Sequence, residues 1–107
     1  MNFHENKLWQ SAYVVLMDLY DAFEGSAEGR EVVDQVLASG VGVVAKIADG
    51  LSRRDRRQAA EILSDAAGLV ATTRSHLAVA WGKKLLQDDV FRTLDGKYQE
   101  LSSLLQR

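Results

Sequence analysis

Four times along this chain, apolar residues recur at intervals of three and four. Leu8, Ala12, Leu16, Leu19 and Phe23 form the first stripe, and Val33, Leu37, Gly40, Val44 and Ile47 the second. Leu63, Ala66, Val70, Thr73, Leu77 and Ala80 form the third, and Phe91, Leu94, Tyr98, Leu101 and Leu105 the fourth. That interval keeps side chains on one face of an α-helix, whereas a half-buried strand needs strict alternation. The chain also has no proline, the residue that breaks a helix interior.

The stripes predict helices over about 5–24, 28–49, 53–86 and 89–105. The first ends in the loop signal Glu24–Gly29, with two glycines and a serine. On the second, Val36, Val41, Val43 and Ala48 widen the apolar face and make it the helix expected to be most buried. Its VGVV run is rich in β-branched residues, but the helical period persists around it and no partner strand is visible. Gly40 and Gly42 each cost about 1 kcal/mol inside a helix relative to alanine, and close approach of a neighbouring backbone is the expected compensation. Gly50 is expected to cap that helix, and Ser52 to start the third. Gly68 and Gly82 are weak points of the third helix, and Asp88 and Asp89 suit the positive end of the fourth.

Four amphipathic helices with short connections predict an all-α, up-down-up-down four-helix bundle. Its near-heptad seams favour shallow crossing angles. At 107 residues the chain has room for one domain, taken as 1–107, with a core that needs no covalent staple. Cysteine is absent, which excludes disulfides and thiolate metal sites. No apolar run approaches the roughly 18 residues that span a bilayer. The opening MNFHENKLWQ lacks the basic start and apolar stretch of a signal peptide, so the expected location is the cytoplasm.

Chemistry-bearing patterns are scarce. The two histidines, His4 and His76, have no glutamate three residues before them, so the Glu-x-x-His pairs of a bundle di-metal site are missing. There is no His-Glu-x-x-His motif, phosphate-binding glycine loop or nucleophile elbow. Ser64 and Asp65 adjoin in sequence but point in different directions on a helix. The expectation is a protein that is not an enzyme and holds no metal or cofactor.

The charge distribution has one irregularity. The formal net charge is −2, yet Arg53-Arg54-Asp55-Arg56-Arg57 carries four arginines against one aspartate. That +3 run leaves −5 for the rest of the chain. It sits at the predicted start of the third helix, where the dipole disfavours cations by about 0.3–1 kcal/mol. An unfavourable placement points to a use such as phosphate contact, while the plain alternative is a solvated loop paired with nearby acids. Aromatic rings could stack bases, but Trp9, Tyr13, Tyr20 and Tyr98 all fit core or core-edge stripes. Trp81, beside the seam residue Ala80, could instead be an oligomer contact. Small residues recur along the second helix (Ala38, Gly40, Gly42, Ala45, Ala48) and the third (Ala59, Ala60, Ala66, Ala67, Ala71), which permits close packing within a bundle or between bundles.

These motifs resemble the four-helix family of 23S rRNA intervening-sequence proteins, which also includes the accessory variability determinants of diversity-generating retroelements. The family opens with asparagine or aspartate, a few residues and then Val-Trp-Gln-Lys-Ala. Here the opening reads Asn6-Lys7-Leu8-Trp9-Gln10-Ser11-Ala12. The family's second helix carries Gln-Leu-Arg-Arg-Ala-Ala-Val-Ser-Ile-Pro-x-Asn-Ile-Ala-Glu-Gly. The same register here runs from Gln35 to Ile47-Ala48-Asp49-Gly50. The family's basic turn falls on Arg53 to Arg57. Its Leu-x-x-Ala-x-Gly-Ser-Leu-x-Glu falls on Leu63, Ala66, Gly68 and Val70, with Leu69 and Thr72 at the serine and glutamate positions. The family's paired arginines are Leu37 and Ala38 here, its proline is Val44 and its asparagine is Lys46.

The resemblance implies a homopentamer shaped as a short barrel, associated with nucleic acid or, in the retroelement branch, with a reverse transcriptase. The candidate nucleic-acid-binding residues are Arg53, Arg54, Arg56 and Arg57, with Lys46 nearby. Two readings stay open. One is a non-catalytic, self-assembling bundle that binds RNA or DNA through the arginine turn. The other is a protein-interaction scaffold that binds no nucleic acid.

Overall fold

The computed structural model describes residues 2–106. A short 3-10 turn, Phe3–Glu5, leads into four α-helices: α1 (Lys7–Ala22), α2 (Arg30–Leu51), α3 (Arg56–Gly82) and α4 (Asp88–Leu105). The described residues contain no strand. The fold is all-α, as the apolar period requires.

Each helix begins and ends for a local reason. The Asn6 side chain accepts from the Leu8 N–H at 2.8 Å and starts α1. The chain leaves α1 through Phe23 and a left-handed Gly25 (φ +75°). α2 starts from Gly29 (φ +63°) without a side-chain cap. Arg30 pairs with Asp34 at 2.8 Å on the exposed side of the same helix. A Cβ at position 29 would stand 2.5 Å from Leu85 Cδ1, so any side chain there would displace Leu85 as well as strain the left-handed backbone.

Two expected caps are relocated. Gly50 lies within α2, buried, where a Cβ would come 2.7 Å from Leu63 Cδ2 on α3. It is a helix-crossing glycine and not a cap. Ser52 ends α2, donating its hydroxyl to the Ala48 carbonyl at 2.7 Å, and does not start α3. The N-cap of α3 is Asp55, whose carboxylate accepts from the Arg57 and Gln58 N–H groups at 2.9 and 3.2 Å. α3 therefore begins at Arg56 and not at 53.

At its other end α3 stops at Gly82, short of 86. Lys84 turns left-handed (φ +64°), its N–H bonds the Trp81 carbonyl, and the Leu85 N–H bonds the Ala80 carbonyl, both at 2.9 Å. This is a Schellman closure with lysine in the position glycine usually takes. It swings Leu86 into the core.

All four helices contribute to one core. Ala12, Val15, Leu16, Leu19 and Phe23 enter it from α1 and its end, and Val33, Val36, Val43 and Ile47 from α2. Ala66, Val70, Leu77 and Ala80 enter from α3, and Leu94, Tyr98, Leu101 and Leu105 from α4. Side chains of this kind stabilise the fold by about 1.5–3 kcal/mol each when Leu- or Val-sized and fully buried. On α2 the seam keeps the expected Val33, Gly40 and Ile47 but takes Val36 and Val43 in place of Leu37 and Val44. Val36 and Val43 are fully buried, whereas Leu37 and Val44 are half-buried and Val41 is exposed. Gly40 makes room for side chains and not for a backbone: a Cβ there would stand 2.9 Å from Leu16 Cδ1 and 3.1 Å from both Leu19 Cδ1 and the Tyr98 hydroxyl. Gly42 meets only Leu69, at an ordinary 3.7 Å. Buried Thr73 satisfies its hydroxyl on the Leu69 carbonyl at 2.8 Å.

Two ion pairs tie helices together. Arg74 on α3 bonds Asp95 on α4 through two nitrogens, at 2.8 and 3.1 Å. Lys97 on α4 bonds Asp18 on α1 at 2.7 Å. α1 packs on α2, α2 on α3, α3 on α4, and α4 on α1. No helix is long and apolar enough to cross a membrane among the described residues.

Candidate nucleic-acid interface

The arginine turn is the connection between α2 and α3, and its geometry is set by carboxylates at its centre and flanks. Asp55 is consumed by capping α3, so the one acid inside the run holds backbone N–H groups and not a guanidinium. Arg53 folds back along α2, its Nε donating to Asp49 Oδ1 at 2.9 Å. Arg57 faces Glu61 one turn further along α3, at 3.8 Å with both side chains largely in solvent. Such an exposed pair contributes little. Arg54 and Arg56 are exposed and make no ion pair among the described residues. Ser52 and Asp55 fix the backbone on either side of Arg53 and Arg54. The turn is thus a braced loop presenting two uncommitted guanidinium groups.

The structure brings the four candidate arginines together and leaves Lys46 apart. Lys46 is half-buried on α2, about two helical turns before Arg53.

Elsewhere polar groups do not converge. Among the described residues no group of three His, Cys, Asp or Glu side chains is placed to hold a metal ion. An open groove of about 440 Å³ lies between α1 and α4, lined by Val14, Val15, Leu101 and Leu104 with Lys7 and Lys97 at its edge. Tyr98 is buried within the core. Burial, helped by the charge of Asp18, pushes its phenol above the ordinary tyrosine range. Its hydroxyl has no hydrogen-bond partner among the described residues. The Arg74 guanidinium is held above its usual range by its hydrogen bond to Asp95.

An aromatic cluster was not visible as such in the stripes. Phe3, His4, Trp9 and Tyr13 pack ring against ring where the 3-10 turn folds onto α1. The Phe3 and His4 centroids are 4.2 Å apart, His4 meets Trp9 edge-on at 4.9 Å, and Trp9 stacks on Tyr13 at 5.2 Å. Tyr13 and Tyr20 are exposed, at 43% and 45%, so of the core or core-edge places expected for them they take the edge. They lie on the flank of α1, where the stripe runs out. The i, i+4 spacing of Trp9 and Tyr13 was the available signal. Trp81 is also exposed, stacking on Phe91 at 4.6 Å and donating its indole N–H to Asp88 at 2.7 Å.

The fold and its turn define a four-helix all-α protein with an arginine-rich connection. The chain belongs to the 23S rRNA-intervening sequence protein family, whose model matches residues 4–107. The opening around Trp9, the segment ending at Gly50 and the arginine turn all fall within that match. Comparison with curated proteins gives no match.

Proposed function

We propose that this is a non-catalytic, self-assembling bundle protein that binds nucleic acid through the α2–α3 turn. The observation that carries the reading is the pair Arg54 and Arg56, exposed and without a carboxylate partner among the described residues in a turn braced by the Asp55 cap. Guanidinium groups held this way suit phosphate oxygens, which accept from their planar fork. Arg53 and Arg57 add charge once a phosphate competes for them, and Lys46 is the outlying contact. The family's name ties its members to an intervening sequence of 23S rRNA, which makes RNA the first polymer to test.

The proposed architecture is one domain over 1–107 with helices in up-down-up-down order. The contacts support that order. Gly40 faces Leu16 and Leu19 while Leu37 shares a hollow with Tyr20 and Phe23, so numbers fall on α1 as they rise on α2. Gly50 with Leu63 against Gly42 with Leu69 gives the same sense for α2 and α3. Arg74 with Asp95 against Trp81 with Phe91 gives it for α3 and α4. Self-association, as a homopentamer on the family resemblance, is supported by the apolar side chains left on the surface, Tyr20, Val41 and Val79 among them. Symmetry would multiply a modest charge per protomer. We place the protein in the cytoplasm.

The test is a fluorescence titration with short RNA and DNA at several salt concentrations, beside a variant with Arg53, Arg54, Arg56 and Arg57 all changed to Ser. Binding that weakens with salt and vanishes in a variant of unchanged helicity and mass supports the reading. No binding at low salt removes it and leaves the second reading, a scaffold for a protein partner.

A further inference from the structure

We propose that the preferred ligand is single-stranded, with bases stacking on the His4–Trp9–Tyr13 rings and phosphates held by Arg54 and Arg56. This rests on the arginine reading and the helix order proposed above.

Three observations converge on it. First, the rings form a preformed ladder and not a scatter of surface aromatics. Trp9 and Tyr13 lie nearly parallel, at 16°, and His4 braces Trp9 from the side at 77°. His4 is itself fixed, its backbone N–H and ring Nδ1 both on Asn2 Oδ1, at 3.0 and 2.7 Å. The Gln10 amide donates to the His4 carbonyl at 3.0 Å and clips the turn to α1. Second, the ladder is open. Tyr13 is 43% exposed although Trp9 covers one face of its ring. His4 is exposed as well. Rings that only filled a core would not be left in this state.

Third, the helix order proposed above puts the ladder and the turn at the same end of the fold. Leu37 lies beside Tyr20 and Phe23, and Gly40 faces Leu16 and Leu19. Continuing that register along α2 brings Asp49 and Arg53 opposite the segment that holds His4 and Lys7. A strand crossing this end would meet rings on one side and guanidinium groups on the other. Flat aromatic faces beside a basic groove are the arrangement that recognises unpaired bases, because every base offers a π-face. Paired bases are already stacked on their neighbours and cannot reach the rings, so a duplex would engage the arginines alone.

The experiment uses the full chain carrying Trp81→Phe, so that Trp9 is the only indole. Oligouridylate of about ten nucleotides and an RNA duplex of the same length are titrated while Trp9 emission and anisotropy are followed. Tyr13→Leu removes the ring and Tyr13→Phe keeps it. The expected result is quenching of Trp9 by the single strand and weaker binding of the duplex. Tyr13→Leu is expected to lose roughly tenfold in single-strand affinity and Tyr13→Phe to keep it. Equal affinity for strand and duplex, or unchanged Trp9 emission on saturation, overturns the stacking site. If the four-arginine variant still abolishes binding in that case, the arginine turn stands without it. Absence of binding to both ligands overturns both. A Tyr13→Leu protein with altered mass but unaltered affinity also overturns the proposal, assigning the ring to a contact between copies.

Discussion

The phenol of Tyr98 is buried directly over Gly40, its oxygen 3.1 Å from where a Cβ at that position would stand. One helix supplies a missing side chain and another fills the space with a ring. Gly40→Ala gains about 1 kcal/mol of helix propensity. It also forces Leu16, Leu19 and Tyr98 to move, and overpacking of that kind costs about 1–3 kcal/mol. The expected outcome is a net loss of about 1 kcal/mol, read as a lower urea midpoint at unchanged slope.

Tyr98→Phe should reverse the usual effect of trimming a core side chain. The hydroxyl is buried with no hydrogen-bond partner among the described residues. Removing an unsatisfied polar group of this kind is expected to be neutral or to stabilise by up to about 1 kcal/mol. Chemical denaturation of the two proteins at neutral pH decides it.

The same phenol makes stability fall in alkali. Its folded pKa lies above the ordinary value of 10.0, through burial first and the Asp18 charge second. The unfolded chain therefore releases this proton at a lower pH than the folded one. The contribution is fully present below pH 10 and declines as pH rises beyond it. Tyr98→Phe should lack that part of the decline, so the stability difference between the two proteins should shift in favour of the variant above pH 10. A difference independent of pH would contradict the assignment.

Glycines in otherwise similar helical positions should respond in opposite directions. Gly50→Ala drives a methyl into Leu63 and is expected to destabilise by about 1–3 kcal/mol. Gly68 and Gly96 face open space within α3 and α4. Alanine at either is expected to stabilise by up to about 1 kcal/mol. Thermal melts of the three single variants test the contrast.

Asp55 separates stability from binding. Asparagine caps a helix about as well as aspartate, so Asp55→Asn should leave the melting temperature nearly unchanged, whereas Asp55→Ala should lose about 1 kcal/mol. Asp55→Asn also removes the negative charge among the arginines. Titration with RNA should then show tighter binding than the parent.

The sequence showed the four helices and most of the core because each stripe keeps a helical period over several turns. What it hid was local. Ser52 and Asp55 are both good caps, and only the chain's path shows that one closes α2 while the other opens α3. Lys84 adopts a left-handed conformation without glycine, so α3 looked longer than it is. On α2, valines crowd both the true seam and its neighbour, and the choice between Val36 and Leu37 depends on where α1 and α3 lie. The arginine turn was legible as a charge run, but which arginines are spoken for depends on Asp49 and Glu61, one turn away on either side. The aromatic ladder was concealed because its rings touch across the 3-10 turn as well as along the helix.

The carboxylates flanking the turn act as built-in counterions. They are unequal: Arg53 is held by Asp49 at 2.9 Å, whereas Arg57 stands 3.8 Å from Glu61 and is already largely free. A strand that leaves the Arg53–Asp49 pair intact meets Arg54, Arg56 and Arg57, and its salt exponent per protomer should then correspond to about three phosphates, at about 0.7 each for a single strand.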